Sequence, residues 1–122
     1  MEWLISRRNE NHLLYKKLLG EKLYTQNFDA DTTVCSIHFC ALAKDSKERV
    51  DIADTLKQHG IETRLYTAGN LGRHPFWANR YGEARFPWAD ELYERGFFLP
   101  NHPSLSTKDV EYISGVVRKV VG

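Results

Sequence analysis

Four arginines, Arg64, Arg73, Arg80 and Arg85, fall within 22 residues, with His74 among them and Glu62 and Glu83 as the only nearby acids. A guanidinium offers paired donors in one plane, which suits a phosphate or a carboxylate. Phe76, Trp77, Tyr81, Phe86 and Trp88 are interleaved with these arginines, and aromatic faces stack on bases and sugars. Two readings stand side by side. In one, the stretch is a loop that binds an anionic, ring-bearing ligand. In the other, the aromatics pin a long loop to the body while the arginines pair with surface acids. Residue types alone favour the second.

A second candidate is Leu99-Pro100-Asn101-His102-Pro103. Two prolines stiffen the chain around a polar dipeptide between a strand end and a helix start. His102 can donate to a substrate oxygen or move a proton. The competing reading is a turn in which Asn101 and His102 satisfy local backbone groups. His38 reads as a structural histidine, and His12 and His59 as helix-surface residues. No pair of histidines or carboxylates has metal-ligand spacing. Ala68-Gly69-Asn70-Leu71-Gly72 has two glycines but lacks the strand-to-helix context of a phosphate loop. No nucleophile motif occurs.

These groups need elements to carry them. A helix is predicted from about Trp3 to Leu19, with Leu14/Leu18 and Tyr15/Leu19 stacked at i, i+4 and Gly20 as its stop. Thr32 to Lys44 reads as a strand. Cys35, Ile37, Phe39 and Ala41 form its core face; Val34, Ser36, His38, Cys40 and Leu42 form the other. A helix from about Ser46 to His59 opens on a capping-box pair, Asp45 and Glu48. It buries Val50, Ala53 and Leu56 with Ile52 beside them, and Gly60 ends it in a left-handed conformation. Ile61 to Tyr66 is a short strand, Thr67 to Ala89 irregular chain, Ala89 to Arg95 a short helix and Phe97 to Leu99 a third strand. A loop that long is uncommon unless it is functional or covers something. The last helix starts at Ser106 with Asp109 at N3. Leu105 and Val110 form a staple, and Val110, Ile113, Val116, Val117 and Val120 form an apolar face. The expected fold class is α+β: a small three-stranded, mostly antiparallel sheet with helices on one side.

The chain has 122 residues, 42% hydrophobic and 27% charged, with a formal charge of +1. That suits one domain with one modest core, and bulk charge selects no partner. No apolar run reaches the roughly 18–20 residues that span a bilayer, and the first residues lack a signal-peptide stretch. A cytoplasmic protein with no membrane or nucleic-acid partner is therefore expected. Cys35 and Cys40, on opposite faces of one strand and roughly 16 Å apart, are out of disulfide reach and read as buried small hydrophobes.

Gly60-Ile61-Glu62-Thr63-Arg64, followed by Ala68-Gly69-Asn70-Leu71-Gly72-Arg73-His74-Pro75-Phe76, resembles the C-terminal region of the DegT/DnrJ/EryC1/StrS family. These are fold-type-I PLP enzymes acting on nucleotide-linked keto sugars. Arg95 to Leu105, Asp109 to Ile113 and Arg7-Arg8-Asn9-Glu10-Asn11 resemble the same region in the same order. The segment from Ala68 to Pro75 is most similar to the 3-dehydratases that make dideoxysugars for lipopolysaccharide. The resemblance implies one domain, residues 1–122, equivalent to the family's C-terminal small domain. The large domain, with its PLP lysine or the histidine that replaces it in some dehydratases, has no counterpart, because no lysine here stands in such a motif. A fragment inactive by itself, supplying substrate-side contacts, is implied. Arg64 and Tyr66 would lie near the sugar or an amino-acid carboxylate, Asn70 and Arg73 in a loop facing the pocket, and Asn101 and His102 on its rim. No residue takes a catalytic or metal-binding role. PLP or PMP is implied only together with a large PLP-binding domain, and none for the chain alone. The partners implied are that large domain and a nucleotide-linked keto-deoxy sugar, in a homo- or hetero-oligomer. The alternative is a free-standing module, derived from that domain, that binds an anion or a nucleotide sugar. An exposed apolar face at Trp3, Leu4 and Ile5 is expected where the large domain would pack.

Overall fold

The computed structural model describes residues 1–66 and 68–122; Thr67, the first residue of the predicted loop, lies outside them. The elements are α1 (Glu2–Leu19), β1 (Tyr24–Thr25), β2 (His38–Leu42), α2 (Ser46–Gln58), β3 (Arg64–Leu65), α3 (Pro75–Tyr81), α4 (Pro87–Arg95), β4 (Gly96–Pro100) and α5 (Thr107–Val121). The α+β class holds, with four strands rather than three. All pairings are antiparallel, in the order β1-β2-β4-β3. The added strand, Tyr24–Thr25, pairs with Leu42 and Ala41; two residues carry no alternation to read.

One face of the sheet carries Phe39, Ala41, Phe97 and Leu99 into the core. Tyr15 and Leu19 of α1, Ile52 and Leu56 of α2, and Val110, Ile113, Val116 and Val117 of α5 cover it. Helix α2 turns Ile52 and Leu56 inward. Val50, two residues and about 200° away from Ile52, is 45% exposed rather than buried as expected. The capping of α5 is as expected: Ser106 Oγ accepts from the Asp109 N–H, and the Ser106 N–H donates to Asp109 Oδ2. Gly60 takes φ +68 after α2, whereas Gly20 stays right-handed at φ −63.

The predicted Thr32–Lys44 strand is much shorter, and its start is a loop. The Val34 N–H donates to Asn9 Oδ1 at 2.9 Å, taking it out of any ladder. The ladder ends where His38 faces Pro100, which has no N–H to give. Cys35 is therefore exposed and Cys40 half-buried, not two buried hydrophobes, and Ile37 is largely in solvent. The stretch predicted as irregular contains a 3₁₀ turn, Leu71–Arg73, and helix α3, and α4 starts two residues early. Proline opens both α3 and α4, a first-turn position where its missing N–H costs nothing.

Helix α1 orders two loops at once. Arg7, Asn11 and Tyr15, at i, i+4 and i+8, donate to the carbonyls of Leu105 (2.8 Å), His102 (3.5 Å) and Pro100 (2.9 Å). On the adjacent face Asn9 holds Val34, His12 Nδ1 meets Ser36 Oγ at 3.4 Å, and Lys16 donates to the Gln26 carbonyl at 2.8 Å. The segment after β1 thus folds back over α1. It buries His12, with its ring 5.5 Å from Phe28 and 5.2 Å from Phe39, against the surface position expected. At the start of α1 Trp3 is exposed and Leu4 and Ile5 are half-buried. Among the described residues no helix is long and apolar enough to cross a membrane.

Candidate functional site

A cleft of about 540 Å³ opens at the end of the sheet where β4 runs into the loop clamped by α1. Ile37, Leu65, Phe98, Leu99 and Pro100 give it apolar walls. Arg8, His38, Glu62, Arg64, Asn101 and His102 give it polar ones. Three of the six residues singled out in the sequence meet here: Arg64, Asn101 and His102.

Arg64 stands on the short edge strand β3. Its Nε and Nη2 both donate to Glu62 Oε1, at 3.1 and 2.8 Å. Both side chains are 72% exposed, so the pair orients the guanidinium and adds little stability. His102 is exposed at the loop apex. Its Nδ1 accepts the Ser104 N–H at 3.2 Å and lies 2.6 Å from Ser104 Oγ. The neutral ring therefore carries its proton on Nε2, which is left to donate to a ligand. Asn101 is buried, and its partners are distant in sequence rather than local. Its Nδ2 donates to the Ser36 carbonyl at 2.9 Å and the Arg8 carbonyl at 3.2 Å. It thus fastens α1 and the approach to β2 to the cleft's back wall. Its Oδ1 is buried without a partner among the described residues.

The other three lie elsewhere. Tyr66 lines a separate hollow of about 270 Å³ with Tyr24, Cys40 and Leu92. Burial pushes the Cys40 thiol and the Tyr66 phenol up, so neither ionises readily near neutral pH. Asn70 and Arg73 form a brace. Asn70 is buried; its Oδ1 accepts the Gly72 N–H at 3.0 Å, and its Nδ2 donates to Asp90 Oδ1 (3.0 Å) and the Ala84 carbonyl (3.2 Å). Arg73 pairs with Asp90 at 3.2 Å and Glu94 at 3.4 Å. Its guanidinium sits 4.5 Å from the Tyr93 ring centre.

Three polar cleft residues were missed as site residues: Glu62, Arg8 and His38. Arg8 projects from α1, and His38 from the non-core face of β2 with its ring 4.9 Å from Phe98. Burial pushes the His38 pKa below its ordinary 6.5, and the charges of Arg64 and Arg8 push it further down. The available signal for His38 was its even spacing with Cys40 and Leu42; for Arg8 it was its place in the run Arg7-Arg8-Asn9. Among the described residues no group of three or more histidine, cysteine, aspartate or glutamate side chains is placed to hold a metal ion.

A profile of the DegT/DnrJ/EryC1/StrS aminotransferase family matches residues 1–118. The chain belongs to that family. It is 30% identical over 111 residues to the GDP-perosamine synthase of Escherichia coli O157:H7; the match covers 89% of this chain and 29% of that protein. In fold it matches a Streptococcus pneumoniae protein assigned as a sugar aminotransferase, in its PMP form. There the TM-score is 0.84 at 21% identity, over 97% of this chain and 31% of that one. It also matches the Escherichia coli GDP-4-keto-6-deoxy-D-mannose-3-dehydratase with bound hydrated PLP, with a TM-score of 0.78 at 20% identity over 95% and 31%. The chain thus corresponds to under a third of the length of each of these proteins. PLP is a cofactor of this family's setting, and enzymes hold its aldehyde through a lysine amine. No lysine lines the cleft. The cleft therefore offers no amine to hold that aldehyde covalently; what it offers is hydrogen-bond donors and apolar walls.

Proposed function

We propose that this DegT-family chain is the C-terminal, substrate-side domain of a PLP- or PMP-dependent nucleotide-sugar aminotransferase or 3-dehydratase. Its cleft receives the nucleotide-linked keto-deoxy sugar, and a separate, lysine- or histidine-bearing domain supplies the cofactor. The observation that carries this reading is the convergence of Arg64, Asn101 and His102, from separate parts of the chain, on one cleft with apolar walls. The family match adds the chemistry that such a cleft would serve. Arg64, oriented by Glu62, anchors an anionic group. His102 Nε2 donates to a sugar oxygen, and Asn101 keeps the loop registered against α1. The apolar walls exclude water from the sugar ring. No residue of this chain takes the catalytic role.

The 3-dehydratase branch is favoured within this proposal by the sequence from Ala68 to Pro75, which builds the Asn70–Arg73 brace. Complementation tests both levels. The chain is mixed with the cofactor-bearing domain of a family member, and nucleotide-linked 4-keto-6-deoxy sugars are supplied with PMP. Product formed only in the mixture supports the reading, and an aminated or a 3-deoxy product decides the branch. Turnover equal with and without the chain contradicts it.

A further inference from the structure

We propose that the cleft binds a phosphoryl group as a tetrahedral dianion on Arg8 and Arg64, and that its arrival draws a proton from solvent onto His38. The reading above enters only as the source of that group, the phosphates of the nucleotide part.

Four guanidinium or imidazole side chains from four places in the chain reach this cleft: Arg8 from α1, His38 from β2, Arg64 from β3 and His102 from the β4–α5 loop. A carboxylate is planar and is satisfied along one guanidinium edge. A phosphoryl group presents acceptor oxygens in several directions and two charges, which suits donors converging from separate elements. The two guanidiniums are complementary in state. Glu62 Oε1 takes Nε and Nη2 of Arg64, fixing it and leaving Nη1 for a ligand. Arg8 has a buried Nε with no partner and, among the described residues, no ion pair.

His38 is the proton acceptor because every cation of the cleft bears on it. Arg64 and Arg8 lower its pKa, and Glu62 raises it. From the remaining neighbouring segments it meets Phe98 and, at its own carbonyl, the Cys40 thiol, and the exposed His102 lines the same cleft. With the cleft empty the ring is neutral near pH 7. A dianion on the two guanidiniums cancels the repulsion that keeps the proton off. Binding then raises the His38 pKa, and affinity increases as the pH falls through that range.

Sulfate is the probe, since it is a tetrahedral dianion that does not titrate near neutral pH. Calorimetry of the intact chain in buffers of different ionisation enthalpy gives affinity and protons taken up. The expected result is saturable binding with fractional proton uptake at pH 7. Arg8→Gln and Arg64→Gln should each weaken binding about tenfold or more, with amide spectra that keep the pattern of a folded chain. His38→Gln should bind within about fivefold and take up no proton. Inorganic phosphate should compete with sulfate and glutamate should not. No saturable binding, full affinity in Arg8→Gln, uptake that persists in His38→Gln, or displacement by glutamate in preference to phosphate would each overturn the proposal. Failed complementation with sulfate binding intact would remove the nucleotide as source and leave the anion site standing.

Discussion

Arg64 and Arg73 stand nine residues apart in one basic stretch, yet the fold gives them opposite surroundings. Arg64 lies on an edge strand, in solvent, with one exposed carboxylate beside it and donors to spare. Arg73 is only 22% exposed; it meets two carboxylates one helical turn apart on α4 and lies against Tyr93. The difference lies in how many acids the fold has brought to each guanidinium, and on that ground we propose Arg64 rather than Arg73 as the arginine that meets the ligand. For Arg73 those acids come from Asp90 and Glu94, beyond a helix whose existence the sequence hid. The cleft is therefore open to solvent around its arginine, whereas the brace is closed around Arg73 by two acids and a ring.

Breaking the brace should cost the most. Gly69 has φ +58, and a Cβ there would lie 2.1 Å from Cδ2 of Tyr93, the ring that Arg73 rests on. Gly69→Ala should lose about 2–4 kcal/mol of stability in denaturant titration, from left-handed strain and the forced shift of Tyr93. Next comes the clamp behind the cleft. Tyr15→Phe leaves the Pro100 carbonyl without its partner and should cost about 1–3 kcal/mol. It should also loosen the loop that carries His102, seen as faster amide exchange from residue 100 to 105. Acid sharpens the contrast further. The Asn70 amide, and after it the Arg73 guanidinium, hold the Asp90 carboxyl below its ordinary 3.8. The brace's contribution is thus full above that pH and fades as the pH falls below it. A shift of the Asn70 side-chain amide signals on titration from pH 5 to pH 2 would report this. The smallest stability effect is expected in the cleft itself. Arg64→Ala should stay within about 0.5 kcal/mol of the parent chain, because both partners of its ion pair are in solvent. Ligand affinity should nonetheless fall about tenfold.

Elements with local signatures were legible in the sequence. Helix α5 announces itself through Ser106, Asp109 and a valine face, and the end of α2 through Gly60. Helix α1 was legible as a helix but not as a clamp. Its positions 7, 11 and 15 bond carbonyls some 85–98 residues away, a pairing no local pattern encodes. The same distance effect hid the burial of His12, which depends on Phe28 and Ser36 folding back. The Thr32–Lys44 strand was overextended because alternation continues past the point where Asn9 takes the Val34 N–H. Helix α3 is too short, at 7 residues, and too rich in exposed aromatics for an apolar period to emerge, whereas α4 was read as a helix with only its start misplaced. Of the site, the loop around Asn101 and His102 was visible through its flanking prolines. Arg8 and His38 join it only through the three-dimensional meeting of α1, β2 and β3.

The division between open cleft and closed brace is tested most directly by arginine and histidine side-chain NMR of the intact chain, titrated with a nucleotide-linked 4-keto-6-deoxy sugar. The expected result is perturbation of Arg8, His38, Arg64 and His102, with Arg73 and the Asn70 amide unmoved. Shifts centred on Arg73 and Asn70, with Arg8 and Arg64 silent, would contradict the account and return the ligand to the loop that the fold has closed.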